Sequence, residues 1–188
     1  MKAAIIGGGV IGGGWAARLL LNGWDVNIYD PDNDSERKLF LMVDNARRSL
    51  PSLYDFNLPK EGDIKFCNSI KEAVKNANWI QESVPERLNI KQEVYKEIQK
   101  YCDNNAVIAS STSGFRPSEL NEGATNPSQI LVCHPFNPVY LLPLVEVVPS
   151  EISNPEIVKL SSKYLNKIGM KPLIIRKEID AHIADRLI

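Results

Sequence analysis

The sequence predicts an α/β fold: a doubly wound, mostly parallel sheet with helices on its faces. Three observations predict it. Short apolar runs alternate with helical patterns along nearly all of the 188 residues, the order that crossover units require. A glycine-rich turn joins the first strand to the first helix. The composition, 44% hydrophobic and 24% charged, is that of a globular chain long enough to bury a real core.

Each element follows from a local signal. "KAAIIG" is a short apolar strand, and "GWAARLLLNG" is a helix pattern that stops at Gly23. "DVNIYD" is a second strand and "SERKLFLMVDNARRSL" a second helix. Pro51 and Pro59 bracket the loop "SLYDFNL". "IKFCN" (strand), "SIKEAVKNA" (helix), "WIQESV" (strand) and "NIKQEVYKEIQKYC" (helix) follow. "AVIASST" and "QILVCHPF" are strands separated by a stretch with one short helix, "PSEL". "PLVEVV" is a strand, and "NPEIVKLSSKYLNKIG" is a helix capped by Asn154, opened by Pro155 and stopped at Gly169. "KPLIIRK" is the last strand. "EIDAHIADRLI" begins another helix with little of its own to pack on. The expected division is therefore a nucleotide-binding unit over 1–180 and the start of a second, helical domain over 181–188.

Totals narrow the function classes. The formal net charge is -1 and no basic block occurs, so neither nucleic acid nor an anionic membrane is an expected partner. Six glycines between Gly7 and Gly14 interrupt the apolar start, which argues against a membrane helix there. Three cysteines, Cys67, Cys102 and Cys133, have no metal-ligand spacing; reduced thiols, a cytoplasmic location and no metal are the expectation.

"IIGGGVIG" contains Gly7-x-Gly9-x-x-Gly12 in the context that gives the pattern meaning: after a strand, opening a helix, before a second strand that ends in Asp30. Gly7 permits a tight turn, Gly9 leaves room for a pyrophosphate, and Gly12 lets helix and strand approach. The helix start at Val10 and Ile11 offers N–H groups and partial positive charge to phosphate. A carboxylate at Asp30 can accept both ribose hydroxyls and repels a 2′-phosphate, so the expected cofactor is NAD in a Rossmann-type fold.

"HPFNPVYLLPLVEVV" holds one of two histidines. His134 ends a strand, where open α/β sheets bind ligands. Glu146 lies in the next strand, and a turn of about eight residues could bring the two side chains together. A carboxylate on one ring nitrogen fixes the tautomer and leaves the other free to take a hydroxyl proton, as alcohol oxidation by hydride transfer requires. A packed core histidine is the competing reading of the same residues. "IASSTSGF" places Ser110, Ser111, Thr112 and Ser113 at another strand end, as turn caps or as substrate contacts.

These residues together resemble the NAD-binding domain of the 3-hydroxyacyl-CoA dehydrogenase family. The matching pieces are "IIGGGVIG", Asp30, "QESVPERLNIKQEVY", "SSTSG", "HPFNP" with "LVEVV", and "GMKPLIIRKEI". The resemblance implies NAD, a small-molecule substrate and a homodimer. It implies His134 as base, Glu146 as its orienting carboxylate, Asn137 and Ser113 in the site, and Glu86 and Lys91 near the nicotinamide side. "SSTSGF" and "IGMKPLIIRKEID" are most similar to members acting on a 3-hydroxy acid that carries a trimethylammonium group. Such a substrate needs aromatic faces for its cation and a cation for its carboxylate, which singles out Phe115, Tyr140 and Arg116. An acyl-CoA or sugar-acid substrate, or a nucleotide-binding module without catalysis, are the alternatives. Ala181-His182 stands where many relatives have Gly-Phe, and His182 is expected at a surface or domain boundary.

Overall fold

The computed structural model describes residues 1–186. Its eight strands form a single sheet in the order β3-β2-β1-β4-β5-β6-β7-β8. The strands are β1 (Lys2–Ile6), β2 (Asp25–Tyr29), β3 (Ile64–Phe66), β4 (Trp79–Glu82), β5 (Val107–Ser110), β6 (Ile130–Pro135), β7 (Leu144–Val148) and β8 (Lys171–Ile174). The helices are α1 (Val10–Leu21), α2 (Ser35–Ser49), α3 (Ile70–Val74), α4 (Leu88–Gln99), α5 (Pro117–Leu120) and α6 (Pro155–Lys167). All pairings are parallel except β6 with β7. The doubly wound expectation holds, and each strand and helix named from the sequence before residue 178 is present.

The central strands have no solvent face, as parallel strands between two helix layers must. Alternation splits them between two cores: Ala3 and Ile5 join α1, α2 and α6, while Ala4 and Ile6 join α3, α4 and α5. Burial of each Ile or Leu here contributes about 1.5–3 kcal/mol. Sequence order reverses on either side of β1, between β2 and β4, which opens a crevice above their C-terminal ends.

Two connections set up that crevice. Residues 136–143 return the chain from β6 into antiparallel β7, so that His134 stands directly opposite Glu146. This loop lies on α1, where a Cβ at Gly14 would come 2.9 Å from the Val139 Cβ. Arg18, buried in α1, donates to the carbonyls of Tyr140 at 3.0 Å, Ile168 at 2.8 Å and Gly169 at 2.7 Å. The helix expected from "EIDAHIADRLI" is not formed among the described residues: 180–183 are turns and Ala184–Arg186 is a short 3-10 turn. Left-handed backbone at Ala181 (φ 55) and His182 (φ 50) prevents an α-helix from starting there. Leu187 and Ile188, the end of that expected helix, lie outside the described residues.

Candidate active site

The glycine turn has the shape a dinucleotide phosphate requires. Gly7 has φ 97, and a Cβ there would come 2.5 Å from the Ser83 carbonyl oxygen. A Cβ at Gly12 would sit 1.8 Å from the Gly7 oxygen, so only glycine lets α1 lie this close to β1. At Gly9 the reverse holds: nothing lies within 4 Å of an added Cβ, and that open space faces the start of α1. No side chain caps α1, which leaves its first N–H groups for an anion. Val10 is 60% exposed at this rim, and Ile11 packs partly against the core beneath it. The Asp30 carboxylate, half-buried at the end of β2, accepts from the Gly8 N–H at 2.5 Å and the Asp32 N–H at 2.7 Å. It therefore lies against the turn it was expected to serve. These residues fit NAD: a cradle for pyrophosphate, an uncapped helix start and a carboxylate within reach of a ribose.

Beside the turn, β4 carries a buried charge that the sequence reading passed over. Glu82 is fully buried and accepts from Lys91 Nζ at 2.8 Å, the Val84 N–H at 2.8 Å, the Ser110 hydroxyl at 2.7 Å and the Tyr95 hydroxyl. A buried carboxylate needs this degree of pairing. Lys91, expected near the nicotinamide side, is only 1% exposed. Its ammonium lies under the 83–86 loop, bridging Glu82 and, at 3.1 Å, Glu86. Only Glu86 reaches the surface, held by the Thr112 hydroxyl and by Lys91. Partial burial works against the Glu86 carboxylate, but those two donors outweigh it and hold the group below the usual carboxylate range. The available signal was a glutamate inside the apolar strand "WIQES", where alternation offers it no water. Ser83 and Ser111 share a hydroxyl contact at 2.8 Å on the same edge.

His134 Nδ1 lies 2.9 Å from Glu146 Oε2. The histidine side chain keeps 10% of its surface exposed and the glutamate 1%. A carboxylate can only accept, so Nδ1–H donates to it, which makes Nε2 the acceptor of the neutral imidazole. Phe136 and His182 flank the imidazole, each ring 5.3 Å away. His182 is fully buried, with Nε2 3.1 Å from the Thr112 carbonyl oxygen, so it is not the surface residue that was one of the two expected placements.

The remaining expected residues are dispersed. Ser113 and Asn137 are exposed in the loops after β5 and β6, beside the His134 edge of the sheet. Phe115 packs partly into one core and Tyr140 into the other, on opposite faces of the sheet, so they do not form a common cage. Arg116 is exposed and paired with Glu119 at 3.2 Å and Asp180 at 3.5 Å. A surface groove of about 860 Å³ between Asn121, Ser150 and Arg176 includes neither His134 nor the glycine turn. Among the described residues no cluster of potential metal ligands occurs, and no helix is long and apolar enough to cross a membrane.

Comparison with known proteins gives the family. Residues 2–179 match the family described as 3-hydroxyacyl-CoA dehydrogenase, NAD binding domain. The chain is 60% identical over 186 residues to a protein of Ruegeria pomeroyi named L-carnitine dehydrogenase/betainyl-CoA thioesterase, covering 99% of this chain and 38% of that protein. It is 50% identical to L-carnitine dehydrogenase of Mesorhizobium japonicum, covering 100% of this chain and 52% of that one. The chain thus spans between about two fifths and one half of the length of these relatives. Among solved structures it is similar to 5-formyl-3-hydroxy-2-methylpyridine 4-carboxylic acid 5-dehydrogenase, an NAD+ dependent dismutase, with TM-score 0.91, 29% identity, and coverage of 99% of this chain and 60% of that one. It also shares its fold with (S)-3-hydroxybutyryl-CoA dehydrogenase PaaH1 from Ralstonia eutropha, with TM-score 0.86, 20% identity, and coverage of 99% and 66%.

Proposed function

The chain belongs to the 3-hydroxyacyl-CoA dehydrogenase family, in its NAD-binding domain, and from that premise we propose that it serves the NAD-dependent oxidation of a small 3-hydroxy acid, L-carnitine, to its 3-dehydro product. The substrate rests on the names of the relatives that are 60% and 50% identical. The chemistry rests on one observation, the 2.9 Å contact between His134 and Glu146 at the edge where the glycine turn opens.

Bound NAD supplies the hydride acceptor for the carbon that bears the hydroxyl. The residues of this chain do the rest. The N–H groups at Val10 and Ile11 would hold the pyrophosphate, and Asp30 would take the ribose hydroxyls. Glu86, steadied from beneath by Lys91, which is itself paired with Glu82, would face the nicotinamide side. Nε2 of His134 accepts the hydroxyl proton as the carbonyl forms. The resulting imidazolium is stabilised by the carboxylate on its other nitrogen, which also keeps the ring from turning. Ser113 and Asn137 stand on the same edge to position the substrate oxygen. Three free cysteines suit a reducing compartment, and we assign the protein to the cytoplasm as a homodimer.

The test compares L-carnitine, L-gulonate and a 3-hydroxyacyl-CoA in an assay of nicotinamide reduction with the full protein. Reaction with L-carnitine is expected, and reaction with the CoA ester alone would sink the substrate assignment. His134→Ala is expected to abolish turnover with little change in NAD affinity. Glu146→Gln is expected to lower kcat by roughly 100-fold or more, because an amide presents the wrong group to Nδ1.

A further inference from the structure

Glu146 has two oxygens, and only one of them serves His134. The other, Oε1, accepts the backbone N–H groups of Ile183 and Ala184, both at 3.0 Å. Those donors come from consecutive residues just after the two left-handed positions, Ala181 and His182. Left-handed backbone is rare in residues with a Cβ and persists only where the surroundings enforce it. Here it turns two successive N–H groups toward one anion, an arrangement known to favour negative charge. The turn is fastened at its other side by His182, whose Nε2 donates to the Thr112 carbonyl at 3.1 Å in the loop after β5. The His182 ring also closes one side of the His134 imidazole.

We propose that the turn 181–184 is a positioning element of the proton-transfer pair, with His182 as its anchor and the N–H groups of Ile183 and Ala184 as its grip on Glu146. The proposal rests on the reading of His134 and Glu146 as base and orienting carboxylate. A carboxylate fixed by one oxygen cannot rotate, so its second oxygen stays in line with Nδ1 and the Nε2 lone pair keeps its aim. The two donors also offset the cost of burying the charge. His182 acts through this backbone; no contact between it and the substrate is required.

Three variants of the full protein test it: His182→Leu, which removes the anchor; His182→Gln, whose amide N–H can still reach the Thr112 carbonyl; and Ala184→Pro, which removes one N–H from the grip. Each is read by kcat, KM, solvent deuterium isotope effect, NAD affinity from fluorescence titration, and Tm. His182→Leu and Ala184→Pro are expected to lower kcat about tenfold or more and to enlarge the isotope effect, with NAD affinity close to the parent protein and Tm lowered by only a few degrees. His182→Gln is expected to retain most of kcat. The proposal fails if both disruptive variants keep parental kcat, if their loss follows a matching loss of NAD binding or Tm, or if Gln is as impaired as Leu. His134→Ala in parallel separates the two readings. If it turns over normally, the assignment of the base has failed; if it is inactive while the turn variants are normal, only the role of the turn has failed.

Discussion

At the scale of single residues, the site is built from charges that are buried and then fully partnered. Glu82, Lys91 and Glu86 form a chain that runs from the interior of β4 to the surface. Glu86 gives this chain a pH signature. Its carboxyl is depressed in the folded protein, so the stability it contributes is present above the ordinary carboxylate value of about 4.3 and is lost as pH falls through the lower folded value. Glu86→Gln is therefore expected to be less stable than the parent at pH 7, by under about 1 kcal/mol because the group is half exposed to screening solvent. The gap should close in acid. Urea titrations at the two pH values check this, and a gap that does not narrow would refute it. His134 and Glu146 were legible in the sequence as a pair because a strand, a short turn and a strand can oppose them. Glu82 and His182 were not, since what makes each matter is the set of partners that burial brings to it.

At the scale of elements, the glycines of the first turn have different tasks that one motif conceals. Gly12 is required by packing, because its Cβ would overlap the Gly7 oxygen at 1.8 Å. Gly9 is required by nothing in the protein, since a Cβ there meets no atom within 4 Å. Gly12→Ala is thus expected to destabilise the fold by about 3 kcal/mol or more. Gly9→Ala is expected to change stability by no more than about 1 kcal/mol while weakening NAD binding about tenfold. Thermal unfolding and NAD titration of both variants decide the matter; equal stability loss in the two would show that the open space at Gly9 is not a ligand space. The strands and helices themselves were readable from apolar alternation and caps such as Asn154, whose side chain accepts from the Glu156 N–H at 2.9 Å. The helix expected after β8 was not formed in the described residues, where helical propensity yields to contacts that the turn 181–184 makes with Glu146 and Thr112.

At the scale of the whole molecule, the reversal between β6 and β7 must be held in place, because it sets His134 against Glu146. Arg18 holds it. Its guanidinium reaches across from α1 to the carbonyls of Tyr140, Ile168 and Gly169, which end the β6–β7 loop region and α6. Burial lowers the guanidinium from the usual arginine range, and Tyr54 offsets that only in part. Arg18→Ala removes the guanidinium donor from the carbonyls of Tyr140 and Gly169 and leaves Ile168 only the Tyr54 hydroxyl, and it is expected to destabilise the protein by about 3 kcal/mol. It is also expected to reduce turnover more than NAD affinity, since the glycine turn lies at the other end of α1. Denaturant unfolding and paired kinetic and binding measurements test this; unchanged stability would mean that water replaces the guanidinium at those carbonyls.

The sequence by itself determined the sheet-and-helix alternation, the glycine turn with Asp30, and the candidacy of His134 with Glu146. Those features are local or lie within one strand–turn–strand unit, and steric periodicity and short loops fix them before any distant contact forms. Only the tertiary structure decided that Lys91 is sunk beneath Glu86, that Phe115 and Tyr140 face opposite cores, and that residues 181–184 fold back to hold Glu146. The physical reason is the same in each case: burial and partnership of a side chain depend on elements far apart in the chain meeting at one point, which residue spacing does not encode.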